Sequence, residues 1–257
     1  YLPIGISFLI FQFLLILFFD KTGITYLISD FRKISVFLLF FCQGVAGPII
    51  NLQIFKNFLR RVSNLSIFRV KKRIIIILPV FLIAISKKLL LADPLFDLYF
   101  LMYEEDISSF IYFYLISLIF LMALYFDFSA YSEMAWSIAL ILGMKLPINF
   151  ASPLRAINYV ELWKRWHITL TQSFGRLITI PSQTYAMRNF SNKTNIMRNF
   201  SMFFPVFLGF LVSGIWHGWG ISFVLWGFLN FLFWWLFSLV FMKRLSNKLP
   251  YVSWFLT

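Results

Sequence analysis

Residues 213–242 read "SGIWHGWGISFVLWGFLNFLFWWLFSLVFM", an apolar run long enough to cross a bilayer that carries a histidine between tryptophans and glycines near its start. The closely spaced Gly218 and Gly220 predict that one helix ends at His217 and that the next is capped by Ser222. Ionisable residues at membrane depth are costly, so His217 is a candidate functional residue. The alternative is a neutral histidine that bonds a backbone carbonyl as structural glue.

The composition indicates an integral membrane protein. Hydrophobic residues make up 61% of the 257 residues and charged residues only 13%, and one soluble core cannot hide that apolar surface. The net charge of +13 is concentrated between apolar runs, so we expect membrane lipids as partners and no nucleic acid. The single cysteine, Cys42, excludes an intrachain disulfide and matches no zinc-ligand spacing. We therefore expect Cys42 to be buried and no metal to be bound.

Several apolar segments are close to the length of a membrane-spanning helix, and we predict five to seven spans. The segments lie near 2–19, 34–50, 74–92, 107–126, 132–146, 202–216 and 221–242. The first has no basic region and no cleavage site before it, so we interpret it as a membrane helix rather than a signal peptide, and we expect the chain to be a fragment of a larger protein.

The distribution of charge predicts the orientation. The linker 56–73 contains basic residues and no acid, which places it on the cytoplasmic side; its basic residues are Lys56, Arg60, Arg61, Arg69, Lys71, Lys72 and Arg73. The following helix then runs outward to a group of acidic residues. Lys87 and Lys88 lie near the outward end of that helix, where they have to snorkel to the headgroups or face a polar cavity.

The chain beyond Glu161 contains no acidic residue. Its basic residues are Lys164, Arg165, Arg176, Arg188, Lys193, Arg198, Lys243, Arg244 and Lys248. One interpretation is cytoplasmic loops beside anionic headgroups. The other is a docking surface for an anionic acyl donor, through the phosphates of a coenzyme or carrier.

Residues 147–200 interrupt the membrane pattern with prolines, charges and two tryptophans. The stretch from Tyr159 to about Ser173 predicts an amphipathic helix in which Trp163, His167 and Leu170 share one face. Glu161 and Arg165 form a possible i,i+4 ion pair on it. Irregular backbone at membrane depth requires cover by protein or a water-filled cavity, so we expect a partly buried or re-entrant helix that lines an internal chamber.

Three further polar residues, Asp127, Glu133 and Asn158, lie near predicted membrane boundaries. Asp127 can hydrogen-bond with Tyr131 inside a cavity. The alternative for all three is helix capping or interfacial solvation, which we favour for Glu133 and leave open for Asp127.

The blocks "AYSEMA" (130–135), "ELWKRWHITL" (161–170) and "SGIWHGWGISFVLWG" (213–227) resemble the signature blocks of the membrane-bound O-acyltransferase family, in its bacterial alginate O-acetyltransferase branch. "LPIGISFLIFQ" (2–12) and "QGVAGPI" (43–49) agree in order and spacing. The resemblance implies an all-α polytopic membrane protein: a multi-helix bundle with re-entrant or amphipathic helices around a tunnel. We expect one transmembrane domain over 1–257 that lacks N-terminal and C-terminal helices of the full fold.

The same resemblance implies roles for individual residues. His217 corresponds to the catalytic histidine and His167 to a second, for which we favour a supporting role. Trp163, Trp166 and Trp216 correspond to the aromatic walls, and we add Gly218, Asp127 and Asn158 to the tunnel lining. One stretch departs from the family pattern: Gly175, Arg176 and Leu177 stand where most relatives carry an Arg-Asp-Tyr segment.

The chemistry of these residues fits acyl transfer. An alcohol needs a base to take its proton near neutral pH, and a neutral imidazole can do so. We expect burial, aided by Trp216 and Trp219, to keep the ring of His217 uncharged. Backbone N–H groups near Gly218 and Gly220 are candidate donors to the oxyanion.

We therefore predict transfer of an acetyl group from a cytoplasmic donor, acetyl-CoA or an acyl carrier, to hydroxyls of an exported polysaccharide at the bacterial cytoplasmic membrane. No bound cofactor is expected, and the partners implied are exported acyltransferase proteins. Two other classes stay open: a transporter of a lipid-linked or polyanionic substrate, and a noncatalytic scaffold of a polysaccharide-modification complex. The absence of an internal repeat weighs against the transporter.

Overall fold

The computed structural model describes residues 5–19, 25, 31–40, 42, 44, 47–62, 64–105, 107, 109–190 and 194–239, and these residues form helices joined by short irregular segments. Two compact units divide the chain, Tyr1–Ile148 and Asn149–Thr257. Parts of the blocks at 2–12 and 43–49, the end of the 221–242 segment, and Lys193, Lys243, Arg244 and Lys248 lie outside the described residues. The single domain over 1–257 stays a prediction.

The first unit contains short helices and a long hairpin. The helices are α1 (Ile6–Phe19), α2 (Phe31–Leu38), α3 (Leu52–Val62), α4 (Ile67–Lys87), a π-helical turn (Lys88–Ala92), α5 (Asp93–Tyr103) and α6 (Phe110–Ile141). Four phenylalanines of α2, α3 and the segment between them pack together: Phe37, Phe40, Phe55 and Phe58. Cys42 belongs to the same core and is buried, as the sequence predicts.

The hairpin pairs α4–α5 with α6 in antiparallel fashion. Tyr112 donates to the carbonyl of Met102 near its closed end, and Arg73 donates to the carbonyl of Ile141 at its open end, 3.4 Å away. The π-helical turn comes directly before Asp93 and Pro94, and proline has no N–H to continue the helical bonds of that turn. The helix nevertheless continues from Ile67 to Tyr103 without a break.

Ion pairs at the middle of the hairpin correct three expectations. Lys87 Nζ contacts Glu133 Oε1 at 2.6 Å, and Lys88 Nζ contacts Asp127 Oδ1 at 2.7 Å and Asp93 Oδ1 at 2.5 Å. The two lysines therefore pair with carboxylates instead of snorkelling. Asp127 and Glu133 neither cap nor end a helix, because α6 runs through both positions. For the same reason the two spans predicted at 107–126 and 132–146 are one helix.

The second unit contains a 3₁₀ turn (Pro153–Arg155), α7 (Tyr159–Arg165), α8 (Ile168–Phe174), a π-helical turn (Gly175–Thr179), α9 (Ile180–Phe190), α10 (Asn195–His217) and α11 (Ile221–Ser238). Glycines bring α10 and α11 close together. A Cβ on Gly214 would lie 2.3 Å from the carbonyl oxygen of Phe223, and a Cβ on Gly227 would lie 2.6 Å from that of Phe210. Larger residues at these two positions would force the helices apart.

Four helices among the described residues are long and apolar enough to cross a membrane: Ile67–Tyr103, Phe110–Ile141, Asn195–His217 and Ile221–Ser238. The 14-residue α1 is apolar but shorter. The number is below the predicted five to seven because the 107–126 and 132–146 segments merge and because the helix in the 34–50 segment ends at Leu38. These four helices agree with the multi-pass membrane class that the composition predicts.

Candidate functional site

His217 is the last residue of the spanning helix α10, as the two following glycines predict. The chain then turns at 218–220 and enters α11 at Ile221, with Gly220 rather than Ser222 in the capping position. Gly218 has extended backbone, so its role is space: a Cβ there would lie 2.2 Å from the ring of Phe223. The absence of a side chain at Gly218 lets α11 fold back beside the histidine.

Two tryptophans flank the imidazole of His217 edge-on. The ring of Trp216 lies 4.8 Å from it between centroids, and the ring of Trp226 lies 5.0 Å from it. Outside these contacts His217 is exposed, because α10 ends there and α11 covers only one side. The expected burial of the His217 ring is therefore not observed. Trp219, which is 95% exposed, does not shield the ring from water.

The sequence did not single out Trp226. Its indole contacts both His217 and Trp163, with centroids 6.2 Å apart for the second pair. The available signal was positional, since Trp226 lies within the block "SGIWHGWGISFVLWG" and returns to the histidine because the turn at 218–220 reverses the chain. A helical periodicity argument does not reach across that turn.

His167 occupies a corner between two short helices. The predicted amphipathic helix over 159–173 is interrupted at Trp166 and His167, so Trp163 and His167 do not share a helical face. The backbone N–H of Ile168 bonds the carbonyl of Asn149 at 2.9 Å, and Ala151 bonds the carbonyl of Arg165 at 3.0 Å. These bonds compete with helix continuation and place His167 in the left-handed region, at φ 41°.

The side chain of His167 is buried and electrically neutral near physiological pH. Burial first, and the nearby charge of His217 second, lower the pKa of His167 to about 3. Its ring stacks beside Phe150 at 6.5 Å, and Phe150 also contacts Trp166 at 5.2 Å. A neutral, buried imidazole in a strained corner suits a positioning role better than proton transfer with solvent.

Polar contacts hold α7 in place. Asn158 caps the helix by accepting from the N–H of Glu161 at 2.9 Å, so the capping alternative is the one that the structure contains. The predicted i,i+4 pair is present, with Arg165 Nη2 at 2.6 Å from Glu161 Oε1. The N–H of Ile157 and the guanidinium of Arg165 lower the pKa of Glu161.

A second set of contacts fixes α7 against α11. The hydroxyl of Tyr159 donates to Asn230 Oδ1 at 2.5 Å, and Asn230 in turn donates to the carbonyl of Trp226 at 2.7 Å. Burial raises the pKa of Tyr159 to about 12, which keeps the hydroxyl protonated as a donor. The aromatic wall at Trp163 and Trp226 is therefore anchored by a hydrogen-bonded pair.

The second unit brings most of the predicted site residues together. His217, Trp216 and Gly218 share the end of α10, and Phe174 of α8 packs on Trp216 at 6.1 Å, which ties the segment after His167 to that end. Trp163 reaches the same place through Trp226. Asp127 belongs to the other unit, where it pairs with Lys88. The tunnel itself stays a prediction.

Comparison with known proteins gives a consistent result. The family model described as MBOAT, membrane-bound O-acyltransferase family, matches residues 28–257. The chain is 34% identical to "Peptidoglycan O-acetyltransferase" of Helicobacter pylori over 205 residues, 79% of this chain and 36% of the relative. It is 28% identical to "Probable alginate O-acetylase AlgI" of Pseudomonas aeruginosa over 233 residues, 88% of this chain and 41% of the relative.

A third relative is "Teichoic acid D-alanyltransferase" of Bacillus subtilis, 30% identical over 111 residues, which are 41% of this chain and 26% of that protein. The chain spans less than half the length of each of these relatives. The matched family model nevertheless covers the first unit from residue 28 and all of the second, and it includes His167 and His217. The chain belongs to the membrane-bound O-acyltransferase family.

Proposed function

We propose that this chain carries the catalytic histidine of a membrane O-acyltransferase that moves an acetyl group from a cytoplasmic donor to hydroxyls of a cell-surface or exported polysaccharide. The observation that carries the proposal is the position of His217. It ends a spanning helix, its ring is held between Trp216 and Trp226, and its remaining surface is open to a substrate.

The chemistry that fits this geometry is general base catalysis. The imidazole of His217 takes the proton of a sugar hydroxyl as the oxygen attacks the carbonyl carbon of a thioester donor. The tetrahedral intermediate expels the thiolate of the donor, which takes the proton back from the imidazolium. The products are an ester and a thiol, and no oxidant or reductant is needed. Acetyl-CoA and an acyl carrier are both donors of this class.

The oxyanion of the intermediate needs hydrogen-bond donors nearby. At the start of α11 the N–H groups of Phe223 and Val224 donate to the carbonyl of Gly220, which leaves those of Ile221 and Ser222 as candidate donors. These N–H groups and the backbone at Gly218 are the donors that we assign to the oxyanion. They follow the base directly in the chain, so we place the carbonyl group of the donor between the imidazole and these N–H groups.

We assign His167 a supporting role. The ring is buried, the backbone is in the left-handed region, and Thr169 beside it donates to Asn149 Oδ1 at 2.6 Å. Such a corner fixes the direction of α8, whose Phe174 contacts Trp216. His167 would then influence transfer by holding the aromatic wall in position.

The acceptor is proposed from the printed names of the relatives, which include peptidoglycan and alginate O-acetylating proteins. The test compares acyl groups on surface glycans of cells that contain the wild-type protein, the His217→Ala variant at equal protein level, or neither. We expect the ester groups to be lost with His217→Ala, while the amount of surface glycan stays the same. Loss of the glycan itself, with esters retained on what remains, would favour transport instead.

A further inference from the structure

The first unit contains a small basic cavity where the end of α3 meets the turn after α6. Its volume is about 150 Å³. The polar side chains that line it are Asn57, Arg61 and Lys145, and Phe58 and Met144 supply an apolar floor. None of these residues has a part in the proposed acyl transfer.

A third cation stands beside the same turn. The guanidinium of Arg73 donates to the carbonyl of Ile141 at the end of α6. It approaches Gly143 so closely that a Cβ there would lie 2.7 Å from Arg73 Nη1, and Gly143 also has φ +93°. The positive φ therefore favours glycine at this position, and the absence of a side chain lets the guanidinium lie against the turn.

Negative charge is missing from the surrounding sequence. No Asp or Glu occurs between Asp30 and Asp93, a stretch with several Lys and Arg residues, or between Glu133 and Glu161, where the basic residues are Lys145 and Arg155. Within the described ranges, neither Arg61 nor Lys145 forms an ion pair with a carboxylate. The cavity therefore presents uncompensated positive charge and an amide donor, which favours an anion.

The size and the neighbouring surface narrow the class of anion. Ligand pockets for drug-sized molecules usually exceed about 300 Å³, so this cavity suits a single phosphate group better than a whole nucleotide. Directly after Arg73, α4 exposes an apolar surface: Ile74 is 40%, Ile75 is 75% and Ile76 is 61% exposed. A soluble phosphate would make no contact with this apolar surface, whereas the acyl chains of a lipid would pack against it.

We propose that the cavity between the end of α3 and the turn after α6 binds the phosphate of an anionic phospholipid, whose acyl chains lie along the exposed apolar face of α4. The basic linker of which Arg61 and Arg73 are part is predicted to be cytoplasmic, and the cytoplasmic leaflet is the one that carries anionic lipid. The site is independent of acyl transfer.

The test titrates the detergent-solubilised full chain with phosphatidylglycerol and with phosphatidylcholine, and measures bound lipid by native mass spectrometry. A basic residue near the membrane surface contributes about 1 kcal/mol, or roughly fivefold in Kd. We expect the wild type to prefer phosphatidylglycerol. The single variant Lys145→Gln, at an exposed position, should weaken phosphatidylglycerol binding about fivefold, and the double variant Arg61→Gln/Lys145→Gln about 30-fold.

The matched control is Lys71→Gln/Lys72→Gln, which removes the same charge from the exposed surface of α4 outside the cavity. It should leave phosphatidylglycerol binding within about twofold of the wild type, because neither lysine lines the cavity and an exposed charge that makes no direct contact contributes little. An equal loss in the control and in Arg61→Gln/Lys145→Gln would overturn the site, because the attraction would then be diffuse. Binding of glycerol 3-phosphate as tight as that of phosphatidylglycerol would overturn the assignment to a lipid.

Discussion

The indole of Trp226 packs edge-on against the imidazole of His217, with ring centroids 5.0 Å apart and 71° between the planes. The two residues come from different helices, α11 and α10, joined by the turn at 218–220. The position of the proposed base is therefore set by the helix that follows it, and every contact that holds α11 contributes to that position.

Replacing Trp226 by leucine should lower the rate of acyl transfer about 10-fold to 100-fold, because small displacements of a reacting group have costs of that size. The fall should appear in kcat. The matched control is Trp235→Leu on the same helix, where the indole packs on Phe203 instead. Equal rates for the two variants would show that the contact with His217 does not position the base.

Replacing Gly214 by alanine should destabilise the second unit by about 1–3 kcal/mol, the usual cost of overpacking. The new methyl group would lie 2.3 Å from the carbonyl oxygen of Phe223. Gly220→Ala is the control, since its Cβ would meet no atom within 4 Å and its backbone is extended. The free energy of unfolding in detergent distinguishes them, and equal stability of both variants would contradict the close packing of α10 on α11.

Removing one member of the Lys87–Glu133 pair should leave the other charge in an apolar hairpin. A double-mutant cycle with Lys87→Met and Glu133→Leu should therefore give a favourable coupling energy of about 0.5–3 kcal/mol in the free energy of unfolding. A parallel cycle on Lys72 and Glu104, two residues with no ion pair between them in the described chain, should give a coupling near zero. Additive effects at Lys87 and Glu133 would contradict the pairing.

The depressed pKa of His167 predicts how stability depends on pH. The folded state takes up this proton only near pH 3, whereas an unfolded histidine does so near pH 6.5. Between these values the unfolded state binds more protons, so the free energy of unfolding should fall as the pH drops from about 6.5 towards 3, by up to about 1.4 kcal/mol per pH unit. Above pH 6.5 the residue should have no effect.

The variant for this experiment is His167→Asn, because asparagine tolerates the left-handed backbone at this position and does not titrate. Its unfolding free energy should vary less with pH over the same interval than that of the wild type. Identical slopes for the two proteins would show that folding does not lower the pKa of His167.

The sequence predicts the local features of the candidate site well. The end of α10 at His217 follows from two closely spaced glycines, and the Glu161–Arg165 pair follows from i,i+4 spacing. The cap at Asn158 is the alternative to the tunnel lining that we assign to this residue from the sequence. Each depends on residues a few positions apart, so propensity and spacing are sufficient. The multi-pass helical class follows from composition in the same way.

The sequence does not predict features that depend on distant contacts. In the sequence, Asp127 and Glu133 indicate a membrane boundary, which predicts two spans where the structure has one helix. The carboxylates are neutralised by Lys87 and Lys88 of the opposite helix, and the sequence alone does not reveal that contact. The interruption at His167 depends on backbone bonds to Asn149 and Ala151, which no periodicity reveals. Trp226 was missed for the same reason, since a chain reversal brings it to His217.

The most direct measurement is the initial rate of transfer from labelled acetyl-CoA to a polysaccharide acceptor in membranes that contain equal amounts of wild-type protein or the His217→Ala variant. A positioned base contributes about 10²–10⁴-fold to the rate, so we expect the variant to be at least about 100-fold slower. The midpoint of unfolding should be the same for the two proteins. A His217→Ala variant that keeps most of the wild-type rate would contradict the assignment of His217 as the base.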